Sequence, residues 1–171
     1  MILEIHSEDN KDSVFNKVQH FLQQNEFKIS NQDQSRPWGG FFVIDENQAS
    51  YFASVFFPHL KMSDIQVTAK LSPKILIVAP KERLSWQFHY RRSEIWKVIN
   101  GQVGFVSSMN DSENQSQILV TGDCVMLEKE ERHRLIGLES WAVIAEIWQH
   151  TDIENPSNEE DIVRLQDDFG R

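Results

Sequence analysis

The stretch LSWQFHYRRSEIW, residues 84–96, sets an amide, an imidazole and a carboxylate close together among large aromatics. Side chains on a strand alternate faces, so Gln87 and His89 point the same way. Arg83 and Ser85 share that face if the strand is continuous, and Leu84, Trp86 and Phe88 take the other. Glu94 is out of phase with His89, so the chain must turn or bulge within YRRS. Glu94, Trp96 and Val98 then share a face before a tight turn at Asn100-Gly101. Two neighbouring strands can thus deliver Gln87, His89 and Glu94 to one point inside a barrel. A second imidazole comes from GDCVMLEKEERHRLIG, residues 122–137, where EKEE makes a turn and His133 begins the return strand. An amide oxygen, two imidazoles and a carboxylate make a mixed N/O ligand set without thiolate. That set suits one divalent metal, Zn²⁺ first, with Mn²⁺, Fe²⁺, Co²⁺ and Ni²⁺ close behind. Such a metal is a Lewis acid for a carbonyl and its adjacent hydroxyl.

These residues resemble the cupin barrels. Gln87-x-His89, four residues, Glu94, six residues and Gly101 match the first cupin motif, with Gln in the first His position. Gly122 and His133 fall at the separation of the second. Lys81 stands where a glycine is common, and Glu128 and Glu130 replace the usual Pro and Gly. The chain is further similar to the type II mannose-6-phosphate isomerase subfamily in RPWG (36–39), RLSWQFH (83–89), Arg92, Glu94, Trp96, RHRL (132–135) and EEDIVRLQDDFGR (159–171). It departs from that pattern at Tyr90, Arg91, Ile95 and Phe169. The resemblance implies a mainly β fold, a single cupin (double-stranded β-helix, or jelly-roll) barrel. It implies Gln87, His89, Glu94 and His133 as metal ligands, and Arg164 as a catalytic residue polarising the substrate.

Aldose–ketose isomerisation of a phosphorylated sugar, mannose 6-phosphate or a heptose phosphate, is the activity the resemblance implies. A proton leaves the carbon beside the carbonyl and returns next door, through an enediolate. Glu94 is better used as a ligand than as the base, and His133 could be the base only beside a three-coordinate metal. The base is therefore left open. Arg83 faces inward by strand parity, Arg92 and Arg134 lie near the ligand strands, and these three with Trp96 are the expected substrate contacts. The same arginines could instead pair with acids, and Arg164 could pair with Asp161, Asp167 or Asp168. Two rival functions stand beside the isomerase. One is a non-catalytic metal-binding cupin that senses a sugar or sugar nucleotide. The other is Fe²⁺ dioxygenation, against which the Gln ligand and the tail motif argue.

The elements that must position these groups read as follows. Val14, Phe15, Val18, Phe21 and Leu22 predict a helix over 8–26. Residues 30–40 read as a loop, 41–45 as a strand, and 47–58 as either helix or strand. From residue 65 short β-type runs follow one another, IQVTAKL first, with turn signals between them. One helical turn is expected near Glu159–Leu165. The expected organisation is an N-terminal extension, 1–60, packed on a barrel formed by 61–171. If Gln87 and His89 point inward, Leu84, Trp86 and Phe88 need cover, from the helix at 8–26 or from a second subunit. A homodimer is the corresponding expectation.

Composition limits the partners. The 171 residues carry 17 basic and 26 acidic side chains, net −9, which disfavours nucleic acid. The single cysteine, Cys124, excludes an internal disulfide and reads as a buried, reduced core residue. No signal-peptide pattern and no apolar run of membrane-spanning length is evident, so a soluble cytoplasmic protein is expected.

Overall fold

The computed structural model describes residues 3–171. Helix α1 (Lys11–Gln24) starts where the Asn10 side chain accepts from the Ser13 N–H at 2.9 Å. That cap satisfies one of the free donors of the first turn. Val14, Phe15, Val18 and Leu22 are its buried stripe. The helix thus sits within the 8–26 window and is trimmed at both ends. The ambiguous segment resolves as helix α2 (Ala49–Phe56), because Ala49, Phe52, Ala53 and Phe56 recur at helical spacing and are all buried. A short α3 (Met62–Ile65) follows.

In chain order the strands are β1 (Ile29–Asp33), β2 (Gly39–Ile44), β3 (Lys74–Val78), β4 (Trp86–Phe88), β5 (Arg92–Asn100), β6 (Gln102–Ser108), β7 (Gln117–Val120), β8 (Cys124–Leu127), β9 (Arg132–Gly137), β10 (Ala142–His150) and β11 (Val163–Gln166). They form two antiparallel sheets, β1-β2-β3-β10-β5-β8 and β11-β4-β9-β6-β7. Trp38, Leu76, Val78, Trp96, Val98, Phe105, Leu135 and Ile144 pack together between the two sheets as the barrel interior. A second core lies on the outer face of the six-stranded sheet. There α1 and α2 bury Phe15, Phe52 and Phe56 against Phe42, Ile75, Ile77, Ile95, Val143, Ala145 and Ile147. Among the described residues no helix is long and apolar enough to cross a membrane.

Four expectations change. The polar run ISNQD is strand β1, not loop, because it hydrogen-bonds along β2. IQVTAKL is not a strand. Only Ile65 and Leu71 in it are buried and Val67 is exposed, so it has no alternating face to pair. The tail forms β11 rather than a helical turn, pairing Val163 with Phe88 and Arg164 with Gln87. An unpaired β4 edge would leave backbone donors and acceptors unmet, and β11 meets them. Trp86 and Phe88 lie away from the core that α1 covers. The Trp86 indole donates to the Asp111 carbonyl at 2.9 Å, and the Arg132 guanidinium lies 4.3 Å from the Phe88 ring centre. The β6–β7 hairpin and β9 therefore cover this face.

Two departures from the motif spacing also acquire a shape. Lys81 and Glu130 adopt φ of 63° and 65°, the left-handed conformation that suits glycine. The turns keep the glycine geometry with a longer side chain in place. At Gly39 no such exchange is open, since an added Cβ would lie 1.9 Å from the Ile77 carbonyl oxygen.

Candidate metal centre

His89 follows β4 directly, Glu94 is the third residue of β5, and His133 is the second of β9. All three are buried and come within 4.8 Å of one another through their ligand atoms. The tail holds the turn between them. The Asp161 carboxylate accepts from the Tyr90 and Arg91 N–H groups at 3.1 and 3.0 Å, and from the Ser157 hydroxyl at 2.6 Å.

The imidazoles are oriented by backbone carbonyls. His89 Nδ1 lies 2.6 Å from the Asp161 carbonyl and His133 Nδ1 lies 2.8 Å from that of Glu131. A carbonyl only accepts, so each Nδ1 carries a proton, and in the neutral tautomer each Nε2 presents a lone pair. Those lone pairs face a carboxylate: His89 Nε2 is 3.2 Å from Glu94 Oε1, and His133 Nε2 is 3.3 Å from Glu94 Oε2. Among the described residues Glu94 Oε2 and His133 Nε2 are buried without a hydrogen-bond partner. A carboxylate and two neutral imidazoles turned on one another in a buried place are stabilised by a cation between them. The donor set fits a divalent metal, with no preference expressed for which.

Arg92 already supplies part of the missing charge. Its Nε donates to Glu94 Oε1 at 2.7 Å, and its terminal nitrogens donate to His89 Nε2 at 3.1 Å and to Ser157 Oγ at 2.8 Å. Burial pushes the His89 imidazole down to about 3, against the attraction of Glu94, so it is neutral at physiological pH. Burial alone would raise the Glu94 carboxyl. His89, Arg92 and His133 outweigh it and hold the group well below the ordinary carboxylate range.

A pocket adjoins this cluster, lined by Arg36, Trp38, Lys74, Gln87, Glu94, Trp96, Glu146, Trp148, Arg164 and Arg171 among others. Trp148 lies between two cations, with Lys74 Nζ and Arg92 Cζ each 3.6 Å from its ring centre. Lys74 is ion-paired with Glu159.

Two antiparallel sheets closing over a buried His/Glu/His cluster define a cupin-type barrel, and solved structures share the fold. CapF, a capsular polysaccharide assembling protein from Staphylococcus aureus, is 13% identical over 80% of this chain and 34% of its own, with a TM-score of 0.52. The oxalate decarboxylase of Lactobacillus farciminis, in its formate complex, is 14% identical over 83% of this chain and 34% of its own, TM-score 0.50. The oxalate decarboxylase OxdC of Bacillus subtilis, as a mutant, is 12% identical over 79% and 30%, TM-score 0.55. The chain spans about a third of the length of each of these structures. No curated protein matches it. The chain belongs to the family described as mannose-6-phosphate isomerase C-terminal, whose model matches residues 45–167.

The remaining expected site residues separate into two groups. Gln87 lines the pocket directly opposite His133 across β4 and β9, and its Oε1 accepts from Ser85 Oγ at 2.5 Å. Trp96 lines the pocket edge-on to His133 and donates to Glu146 Oε1 at 2.8 Å. Arg164 lines it too. Among the described residues it makes no ion pair, and its Nε is buried without a hydrogen-bond partner. Arg92 reaches the pocket, but its donors are engaged with Glu94, His89, Ser157 and Asn158. Arg83 and Arg134 lie outside the pocket lining. Arg83 does not hold the face of Gln87. It forms a single isolated bridge to Ile136 outside β4, and its guanidinium turns to Asp168 at 2.5 Å. Arg134 is the neighbour of His133 on β9 and so faces the opposite way, to Glu113 at 2.8 Å and Gln166 at 3.1 Å.

Sequence reasoning missed Lys74, Glu146, Trp148, Arg36 and Arg171 as pocket residues. A signal existed for Glu146: one carboxylate inside the apolar run WAVIAEIW, in phase with Ile144 rather than with Val143.

Proposed function

We propose that the protein is a metal-dependent aldose–ketose isomerase acting on a phosphorylated sugar, mannose 6-phosphate or a heptose phosphate. One observation carries the reading. The Nε2 atoms of His89 and His133 converge on Glu94, with Glu94 Oε2 and His133 Nε2 unpartnered among the described residues, beside a pocket rimmed by Arg36, Lys74, Arg164 and Arg171. His89, Glu94 and His133 would hold the cation, with Gln87 adjacent. When bound, a divalent metal there supplies Lewis-acid polarisation of a carbonyl and its neighbouring hydroxyl; zinc suits the mixed N/O set. Arg92 positions the cluster, since it hydrogen-bonds both Glu94 and His89. Among the described residues Arg164 makes no ion pair, so its guanidinium can meet substrate oxygens or a phosphate; Arg36 and Arg171 line the same pocket but are paired with Asp33 and Asp167. Membership of the family supports a sugar-related role.

A second reading rests on Arg92. Its guanidinium already bonds His89 Nε2 and Glu94 Oε1, so the barrel could bind a sugar or sugar nucleotide without turning it over. Metal analysis of the purified protein, then an assay of aldose and ketose phosphates with the metal-loaded form, separates the two. Interconversion of at least one pair, abolished by a chelator and restored by a divalent cation, is the expected result. Binding without turnover across the panel sinks the isomerase.

A further inference from the structure

The reaction needs a group to carry a proton between adjacent carbons, and the metal cluster offers none. His89 and His133 have each committed Nδ1 to a carbonyl and aim Nε2 at Glu94. His150 is fully buried, hydrogen-bonded to Ser72 at 2.9 Å, and does not line the pocket. Glu159 is ion-paired to Lys74, and the guanidinium of Arg164 cannot accept a proton.

Glu146 is different. It lies on β10 directly opposite Trp96 on one side and Lys74 on the other. Opposed residues of antiparallel strands share a face, so the three side chains form a row across the pocket floor. Trp148 opposite Glu94 is the next row. Glu146 is thus the diagonal neighbour of Glu94, a spacing of about 7–8 Å between such residues. Among the described residues Glu146 forms no ion pair, and its one hydrogen bond is from Trp96 Nε1 to Oε1 at 2.8 Å. Oε2 is left to the pocket.

We propose that Glu146 is the catalytic acid–base residue of this site, an assignment that rests on the isomerase reading. The Glu146 carboxylate takes the proton from the hydroxyl-bearing carbon beside the aldehyde. The C–H electron pair becomes the carbon–carbon double bond of the enediolate, and the carbonyl π pair moves onto its oxygen. Glu146, now the acid, returns the proton to the former carbonyl carbon, while the hydroxyl proton passes from the second oxygen to the first. No atom or electron is gained or lost, and no co-reactant is needed. Burial, then the charge of Glu94, pushes the Glu146 carboxyl up to about 7 in the metal-free chain, against the pull of Lys74 and Arg92.

The experiment compares the metal-loaded parent with Glu146→Gln and Glu146→Asp. Turnover and uptake of solvent deuterium at the exchanging carbon are read first. Metal content and the affinity for mannitol 6-phosphate, a polyol phosphate that cannot isomerise, are read beside them. The Gln amide oxygen can still accept from Trp96, so the fold is kept. Glu146→Gln is expected to lose kcat by on the order of 10²–10⁴-fold, with metal content, polyol phosphate affinity and KM unchanged, and Glu146→Asp to recover part of the loss. An active parent with an equally active Glu146→Gln overturns the assignment and leaves the isomerase standing. So does a variant that loses metal or polyol phosphate binding along with kcat, which marks a structural role. A loaded parent that binds the polyol phosphate but turns over no sugar phosphate overturns the isomerase reading, and the assignment falls with it.

Discussion

Strand β10 has two faces that obey different rules. Val143, Ala145 and Ile147 point outward into the core under α1 and α2, which is apolar throughout. On the other face the residues run Ala142, Ile144, Glu146, Trp148 and His150, and all nine residues of the strand are buried. The first two inward residues continue the apolar interior. The next three bring a carboxylate, an indole and an imidazole into a place equally closed to water. A buried carboxylate costs stability unless it is paired, and among the described residues Glu146 has no ion-pair partner. One face of the strand holds the barrel together, and the other gives up part of that stability to keep polar groups at hand.

The comparison can be broken first on its apolar side. Phe52 is fully buried under the sheet and packs on Phe56 with ring centres 4.7 Å apart. Phe52→Ala should cost about 3–5 kcal/mol, read from the shift of the denaturation midpoint at constant slope. Turnover of the protein that remains folded should hold. The polar side should fail in the opposite sense. His133→Ala removes one of the unpartnered lone pairs. It should weaken metal binding by at least the ~10–100-fold that losing a supporting partner of a ligand costs, measured by metal content after dialysis. The fold should survive.

A pH experiment on metal-free protein sharpens the contrast. The Glu146 carboxyl is pushed up to about 7 in the folded chain, against an ordinary value of 4.5. Between those values the folded state binds more protons than the unfolded one, so this group's contribution is present below about 4.5 and is lost as pH rises through about 7. Glu146→Gln should therefore gain on the parent in thermal midpoint as pH rises across that window. His150 has the opposite sign. Burial lowers it to about 4, so its contribution fades as pH falls below 6.5. His150→Asn should flatten the acid limb of the curve. The smallest effect is expected at Arg83. Its pair with Asp168 is part-exposed, and Arg83→Ala should change stability by no more than about 1 kcal/mol, with no change in turnover.

Much of this was legible in the residues. His89 and Glu94 could be read as convergent from strand parity and a turn in YRRS, His133 joined them through the resemblance to the second cupin motif, and RLIGL and WAVIAEIW declare their strands through β-branched residues. What escaped has a shared cause. ISNQD and VRLQ are strands by virtue of the edge they pair with, not of their own composition. Arg83 broke parity because the chain between Pro80 and Ser85 bridges only once to β9 before β4 begins. Lys74 and Glu146 are charged residues inside runs whose apolar texture identifies the strand and conceals the exception.

The clasp formed by the tail has a consequence for biosynthesis. The Asp161 carbonyl orients His89, its carboxylate ties the turn before Glu94, Ser157 binds Arg92, and Arg164 closes the pocket wall. Translation delivers these residues after every barrel strand but β11. A chain cut before Ser157 would keep strands β1–β10 and lose the groups that orient His89 and hold Arg92.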